Sequence, residues 1–247
     1  MKNKFILLLI PAFFCISAFA NIESIENEYS MLMQSATSNS QMNNYTINAS
    51  KAQELEAKNI SLQLNKILNS EQKNIFEQNT KLWNEYTDKL KNSTIQILYN
   101  QLGTIYQSFA TSTIHSNNFT RALTLYYLLE NSIYKQHDYI SQELENCLKS
   151  SENNITSCYC YYKEIDKYKV DMSKELELTS SKVNTDEYNK ILSAHTSWEN
   201  YLNHTQSELF KIIDSINTTD KELKKAEIIF RIYQTRYSEL SNINFID

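Results

Sequence analysis

Four histidines, 29 carboxylates and three cysteines beyond residue 20 are the side chains of this 247-residue chain that could do acid–base, nucleophilic or metal chemistry. Their spacing argues against each. His115, His137, His195 and His204 do not fall at the His-x-x-x-His or Glu-x-x-His spacing with which one helix face holds a metal ion. Sequence positions assemble no Ser-His-Asp or Cys-His grouping, and His195 reads as a satisfied core histidine rather than a base. Glu54 and Glu56, like Glu222 and Glu227, lie among lysines at helical spacing. That is the pattern of a solvated helix face, where i to i+4 pairs are worth ~0.3–0.5 kcal/mol each. The expectation is a protein that is not an enzyme, with no catalytic residues, no metal site and no cofactor.

The cysteines carry chemistry of another kind. Cys158 and Cys160 are too close in sequence to bridge each other easily, whereas Cys147 can close a short loop with Cys158 or Cys160. Either bridge would contribute about 3 kcal/mol by the chain-entropy model. It would leave one thiol over.

An oxidising compartment is what the N-terminus predicts. Met1-Lys2-Asn3-Lys4 is a short basic segment, Phe5 to Phe14 is apolar, and Ser17-Ala18-Phe19-Ala20 ends in the small-x-small pattern of a signal-peptidase site. Pro11 and the polar Asn21-Ile22-Glu23 leave fewer than the ~20 apolar residues that a membrane span requires. Residues 1–20 therefore read as a cleaved secretory signal, and the destination as periplasmic or secreted. Cleavage removes Lys2 and Lys4 and no acid, leaving 22 basic against 29 acidic residues, a net charge of −7. An acidic chain without a basic run excludes nucleic acid and anionic lipid as partners.

The elements that hold these side chains follow from what the chain lacks. It has one glycine and one proline, where average usage would give roughly 17 and 12. Phosphate-cradling loops and tight hairpins need glycine at positive φ, so nucleotide-binding folds and sandwiches are excluded. What remains is helix on helix. Apolar residues recur at three- and four-residue spacing through Leu55, Leu62 and Ile67, then Ile75 to Leu90, and on through Leu98, Leu102 and Ile105. Asn69-Ser70-Glu71 separates the first two stripes, with Ser70 a candidate N-cap, and Ser116-Asn117-Asn118 reads as a corner. A long stretch over 119–149 follows, predicted to be a helix connecting two halves. In the second half, stripes run through Cys158 to Leu176, Tyr188 to Leu209 and Leu223 to Leu240, with polar breaks at Asn184-Thr185-Asp186 and Asn217-Thr218-Thr219.

The halves align with each other. Trp83-x-x-Tyr86 falls on Trp198-x-x-Tyr201 at an offset of 115, while Thr124, Tyr126 and Leu129 fall on Thr235, Tyr237 and Leu240 at 111. Gly103 is expected to mark a break accounting for that difference in length. The fold class predicted is all-α, as two tandem helical-bundle domains, 21–136 and 137–247, joined by a long helix. Both tryptophans lie on apolar stripes and are expected to be core anchors.

The second half, with Cys147, Thr156 before Cys158, Trp198-x-x-Tyr201 and a closing Arg236-x-x-Glu239-Leu240, resembles the lysozyme-inhibitor LprI-like N-terminal domain family of small exported bacterial helical domains. The first half resembles it more weakly through Trp83, Tyr86 and Asp88. The Arg-Asp that follows the family's tyrosine is Leu202-Asn203 here, and its next cysteine is Gln206. The resemblance implies an exported, non-enzymatic binding protein of the bacterial envelope, with a protein partner of the lysozyme-type muramidase class. The alternative is a structural or protein-interaction scaffold, or a secreted effector, with no inhibitory activity.

Overall fold

The computed structural model describes residues 22–130, 140–215 and 220–246. The signal segment, His137 and the corner at Asn217-Thr218-Thr219 lie outside the described residues. Among the described residues every regular element is helical: α1 (Ile22–Ser35), α2 (Asn39–Ile67), α3 (Ser70–Leu90), α4 (Gln96–Asn100), α5 (Thr104–Leu129), α6 (Gln142–Ser150), α7 (Asn154–Lys182), α8 (Thr185–His204), α9 (Phe210–Ser215) and α10 (Lys221–Asn244). A π turn at Lys91–Ile95 joins α3 to α4, and another at Thr205–Leu209 joins α8 to α9, so each pair runs on as one rod with a bulge.

Without glycine or proline, the ends of these helices are set by amide and hydroxyl side chains. Ser38, Asn69, Asn153 and Asn184 each hold extended backbone and accept a hydrogen bond from a first-turn N–H. Asn69 with Gln72, Asn153 with Thr156 and Asn184 with Glu187 complete reciprocal capping boxes. Helices stop where Leu68, Glu130, Ser151 and Val183 turn to extended φ/ψ, a termination that needs no left-handed residue. The exception is Gly103, at φ +125°, which precedes α5.

The element order is the same twice. Helices α1, α2, α3 and α5 end at residues 35, 67, 90 and 129, and α6, α7, α8 and α10 end at 150, 182, 204 and 244, later by 114 or 115 residues throughout. Helix α2 packs along α5 and α7 along α10, while α3 crosses α8 and α5 meets α10 in the middle. Buried apolar residues from both halves, including Leu64, Trp83, Leu98, Trp198, Phe230 and Ile243, form one continuous core.

Several sequence expectations are corrected by this arrangement. No helix runs unbroken through 119–149: α5 stops at an extended Glu130, and α6 begins after an extended Ser141. The cap of α3 is Asn69, not Ser70. Ser116-Asn117-Asn118 is no corner but lies inside α5. The chain does break at Gln101–Gly103, leaving Leu102 96% exposed, yet the helix ends keep the 115-residue separation beyond it, so Gly103 accounts for no difference in length. Leu55, Leu62 and Ile67 face outward, because α2 buries the polar line Thr46, Ser50, Gln53 and Glu56 beside Ala49, Ile60 and Leu64.

Candidate functional site

The motif residues converge on the central seam. Helix α3 carries Trp83 and Tyr86 on one face, three residues apart, and α8 carries Trp198 and Tyr201 in the same register. Where α3 and α8 cross, Trp83 stands edge-on to Tyr201 with ring centroids 5.3 Å apart, and Tyr86 stacks on Tyr201 at 6.5 Å. Trp198 packs on other partners, edge-on to Tyr233 at 5.3 Å and stacked on His195 at 5.3 Å. All four motif rings are buried. They anchor the core rather than present a surface.

Polar groups are threaded through the seam. Arg236 of α10 is fully buried, donating to Glu239 at 2.7 Å, to His195 Nδ1 at 3.3 Å and to the Ile191 carbonyl at 3.4 Å. Glu239 also accepts from Asn117 Nδ2 at 2.5 Å and from the Tyr86 hydroxyl. Burial, and then the Glu239 charge, push the Tyr86 phenol well above its ordinary pKa. Burial and the neighbouring Arg236 pull His195 down to about 4, so at neutral pH its Nδ1 is an acceptor. Arg121, 115 residues before Arg236, donates to Asn79 Oδ1 at 2.6 Å and Thr80 Oγ1 at 2.8 Å and sits 5.8 Å over the Trp83 ring. Between the two arginines' helices, the Thr120 and Thr235 hydroxyls, also 115 apart, meet at 2.8 Å. Arg121 was legible in the sequence had the 115 offset been carried through α5. The 111 alignment concealed it.

Next to the seam, α1, α5 and α10 line a partly open pocket of about 240 Å³. Tyr29, His115, Ser116, Phe119, Arg231 and Ser238 contribute to its walls. The His115 ring packs on Tyr29 at 4.4 Å, and its Nε2 lies 3.2 Å from Gln53 Nε2 and 3.6 Å from Glu26 Oε1. Gln53 donates to Glu26, and Tyr29 shares a hydrogen bond with Thr46. Glu26 is fully buried, and its Oε2 has no hydrogen-bond partner among the described residues, nor does Gln53 Oε1. Opposite, Arg231 lies over Phe119 at 5.5 Å and Phe230 at 5.4 Å, with Glu227 at 3.7 Å. Glu227, expected on a solvated face, is buried and accepts from the Tyr127 hydroxyl at 2.5 Å.

At the other end, Cys147 of α6 is disulfide-bonded to Cys160 of α7, with Cα atoms 5.8 Å apart. Among the described residues Cys158 is the remaining thiol; it is buried, and burial raises its pKa. Among the described residues no group of three metal-ligating side chains gathers, and no helix is long and apolar enough to cross a membrane.

Seam and pocket together define an all-helical bundle in which two sets of helices share one core. This fold is shared with the crystal structure of an uncharacterized protein from Burkholderia thailandensis, with a TM-score of 0.56 at 11% identity, over 90% of this chain and 98% of that one. No protein-family model and no curated protein matches the chain.

Proposed function

We propose that this chain is an exported bacterial binding protein without catalytic activity, composed of two tandem helical-bundle domains, 21–136 and 137–247, behind a signal segment at 1–20. The observation that carries the export reading is the Cys147–Cys160 bridge, because structural disulfides persist in oxidising compartments and are rare in reducing ones. The tandem reading is supported by helix ends and capping boxes recurring 115 residues apart. It is supported also by Arg121 and Arg236, and Thr120 and Thr235, occupying matching places in α5 and α10. The resemblance to the LprI-like domain supplies the partner class, a lysozyme-type muramidase, toward which a net charge of −7 would steer a basic protein.

The test has two arms. Expression of the full chain in a bacterial host should yield periplasmic protein whose N-terminus is Asn21; an intact N-terminus in the cytoplasm refutes export. The recovered protein should then bind a basic muramidase at low salt and slow its cell-wall hydrolysis. Absence of both refutes the muramidase, and capture of an envelope protein in its place moves the assignment to the scaffold alternative.

A further inference from the structure

Residues 92–120 contain no Asp, Glu, Lys or Arg, where the chain's 21% of charged residues would give about six in 29. The matching stretch of the second half, 207–235, holds ten. The uncharged stretch runs from the π turn after α3 through α4 into α5, and its outward residues gather where α5 begins and α10 ends. There Leu102 stands 96% exposed in the turn before α5, with exposed Tyr99 and Ile105 on either side of it in the chain. The apolar surface continues across the end of the bundle. Tyr106 meets Phe109 edge-on at 6.4 Å, and Phe109 lies against the exposed Phe245, just past α10, at 5.3 Å.

The framework does not require hydrocarbon at this end. Positions 115 residues after Tyr99, Leu102, Ile105 and Phe109 hold Asp214, Asn217, Asp220 and Lys224, and the position 115 before Phe245 holds Glu130. Asp214 pairs with Lys225 at 2.5 Å, Asp220 accepts from Asn154 at 2.5 Å, and Lys224 donates to the Glu130 carbonyl at 2.6 Å. One end of the bundle is therefore ionic and the other is uncharged and apolar. Leu102, almost wholly in solvent, contributes nothing to the core.

Size, shape and charge define what the apolar end fits. Its exposed side chains present on the order of 500 Å², a patch that marks an interaction site but falls short of the about 800 Å² per partner that a stable protein interface buries. Leu102 projects from a turn, and a projecting side chain touches little of a rigid surface, whereas lipid flows around it. Tyrosine with uncharged aliphatic side chains is the composition that settles at a bilayer–water boundary, where the phenol keeps its hydroxyl among headgroups and its ring among acyl chains. Charge is what that region penalises. All of the chain's net negative charge lies outside 92–120, so the rest of the surface is repelled by anionic lipid and this end is matched to a zwitterionic one.

We infer that the end of the bundle formed by Tyr99, Leu102, Ile105 and Phe245 docks on the surface of a zwitterionic lipid bilayer, with the Gln101–Gly103 turn inserted among the headgroups. The contact is interfacial, needs no spanning helix and does not depend on a muramidase partner.

The test uses protein produced from the full chain with vesicles of phosphatidylcholine or of phosphatidylglycerol. Cosedimentation with phosphatidylcholine should be half-complete by about 1 mM lipid, within tenfold of the affinity that one myristoyl chain confers. Phosphatidylglycerol vesicles should bind at least about threefold less at low salt, and added salt should narrow the gap. Leu102→Asp should weaken binding at least about tenfold without lowering the melting temperature, while Leu62→Asp, outward on α2 toward the other end, should leave binding unchanged. Leu102→Trp should give emission that shifts to the blue on adding phosphatidylcholine vesicles, over a constant background from the buried Trp83 and Trp198. The proposal is overturned if phosphatidylcholine vesicles do not sediment the protein, if binding survives Leu102→Asp, or if phosphatidylglycerol is preferred. Lipid-free dimers that Leu102→Asp dissolves would also overturn it, because a second copy would then cover this end.

Discussion

Glu239 is the point at which the seam is most sensitive. Its carboxylate is fully buried and takes three donors from three helices: Arg236 at 2.7 Å, Asn117 at 2.5 Å and the Tyr86 hydroxyl. Glu239→Gln keeps the shape and an acceptor oxygen for Tyr86 and Asn117, but turns an amide N–H₂ toward the Arg236 guanidinium. Removing one partner of a buried ion pair costs about 3–5 kcal/mol, because the other charge stays buried. That is a large fraction of a domain's total stability of roughly 5–15 kcal/mol. Arg236→Met should cost a similar amount by stranding the carboxylate. In the double variant no net charge is stranded, and what remains is an imperfectly paired amide at about 1–3 kcal/mol. The double variant should therefore be more stable than the sum of the singles by several kcal/mol. Urea denaturation at pH 7, read by the fluorescence of Trp83 and Trp198, gives all four values. If Glu239→Gln costs less than about 1 kcal/mol, or the two singles add, the seam is not organised around this ion pair.

Three further outcomes follow from the same packing. His195 is held at about 4 against an ordinary 6.5, so the unfolded chain takes up a proton before the folded one does; stability should be intact above pH 6.5 and decline by up to about 3 kcal/mol as pH falls to 4, and His195→Gln should flatten that slope in urea midpoints measured across the window. Replacing both Cys147 and Cys160 by Ser opens a loop with a sequence separation of 13, and should cost about 3 kcal/mol, visible as a lowered melting temperature that reductant no longer changes. Gly103→Ala meets only ordinary contacts, with Tyr106 at 3.7 Å, but forces a Cβ onto φ +125°; the loss should be about 1–3 kcal/mol by chemical denaturation.

The amino-acid sequence by itself determined the helical class, because a chain with one glycine and one proline can turn only through capped helix ends. The 115 offset between Trp83 and Trp198 is also close to the spacing of the helix ends, which recur 114 or 115 residues apart. The sequence placed both tryptophans inside, and it restricted the bridge to Cys147 with one of two partners. Local propensity misled where tertiary partners outweigh it. Ser116-Asn117-Asn118 has the composition of a corner because Asn and Ser compete for the backbone, yet Asn117 sits inside a helix, where its Nδ2 donates to the Thr113 carbonyl and to Glu239, 122 residues away. Leu55 and Leu62 trace an apolar stripe, but α2 turns Gln53 inward, because Glu26 and His115 stand across from it to receive its carboxamide. The crossing of α3 on α8, the choice of Cys160 over Cys158 and the pocket beside Arg231 belong to the tertiary structure alone. Each depends on which helix faces meet, and helical periodicity records that a face is buried without recording against what.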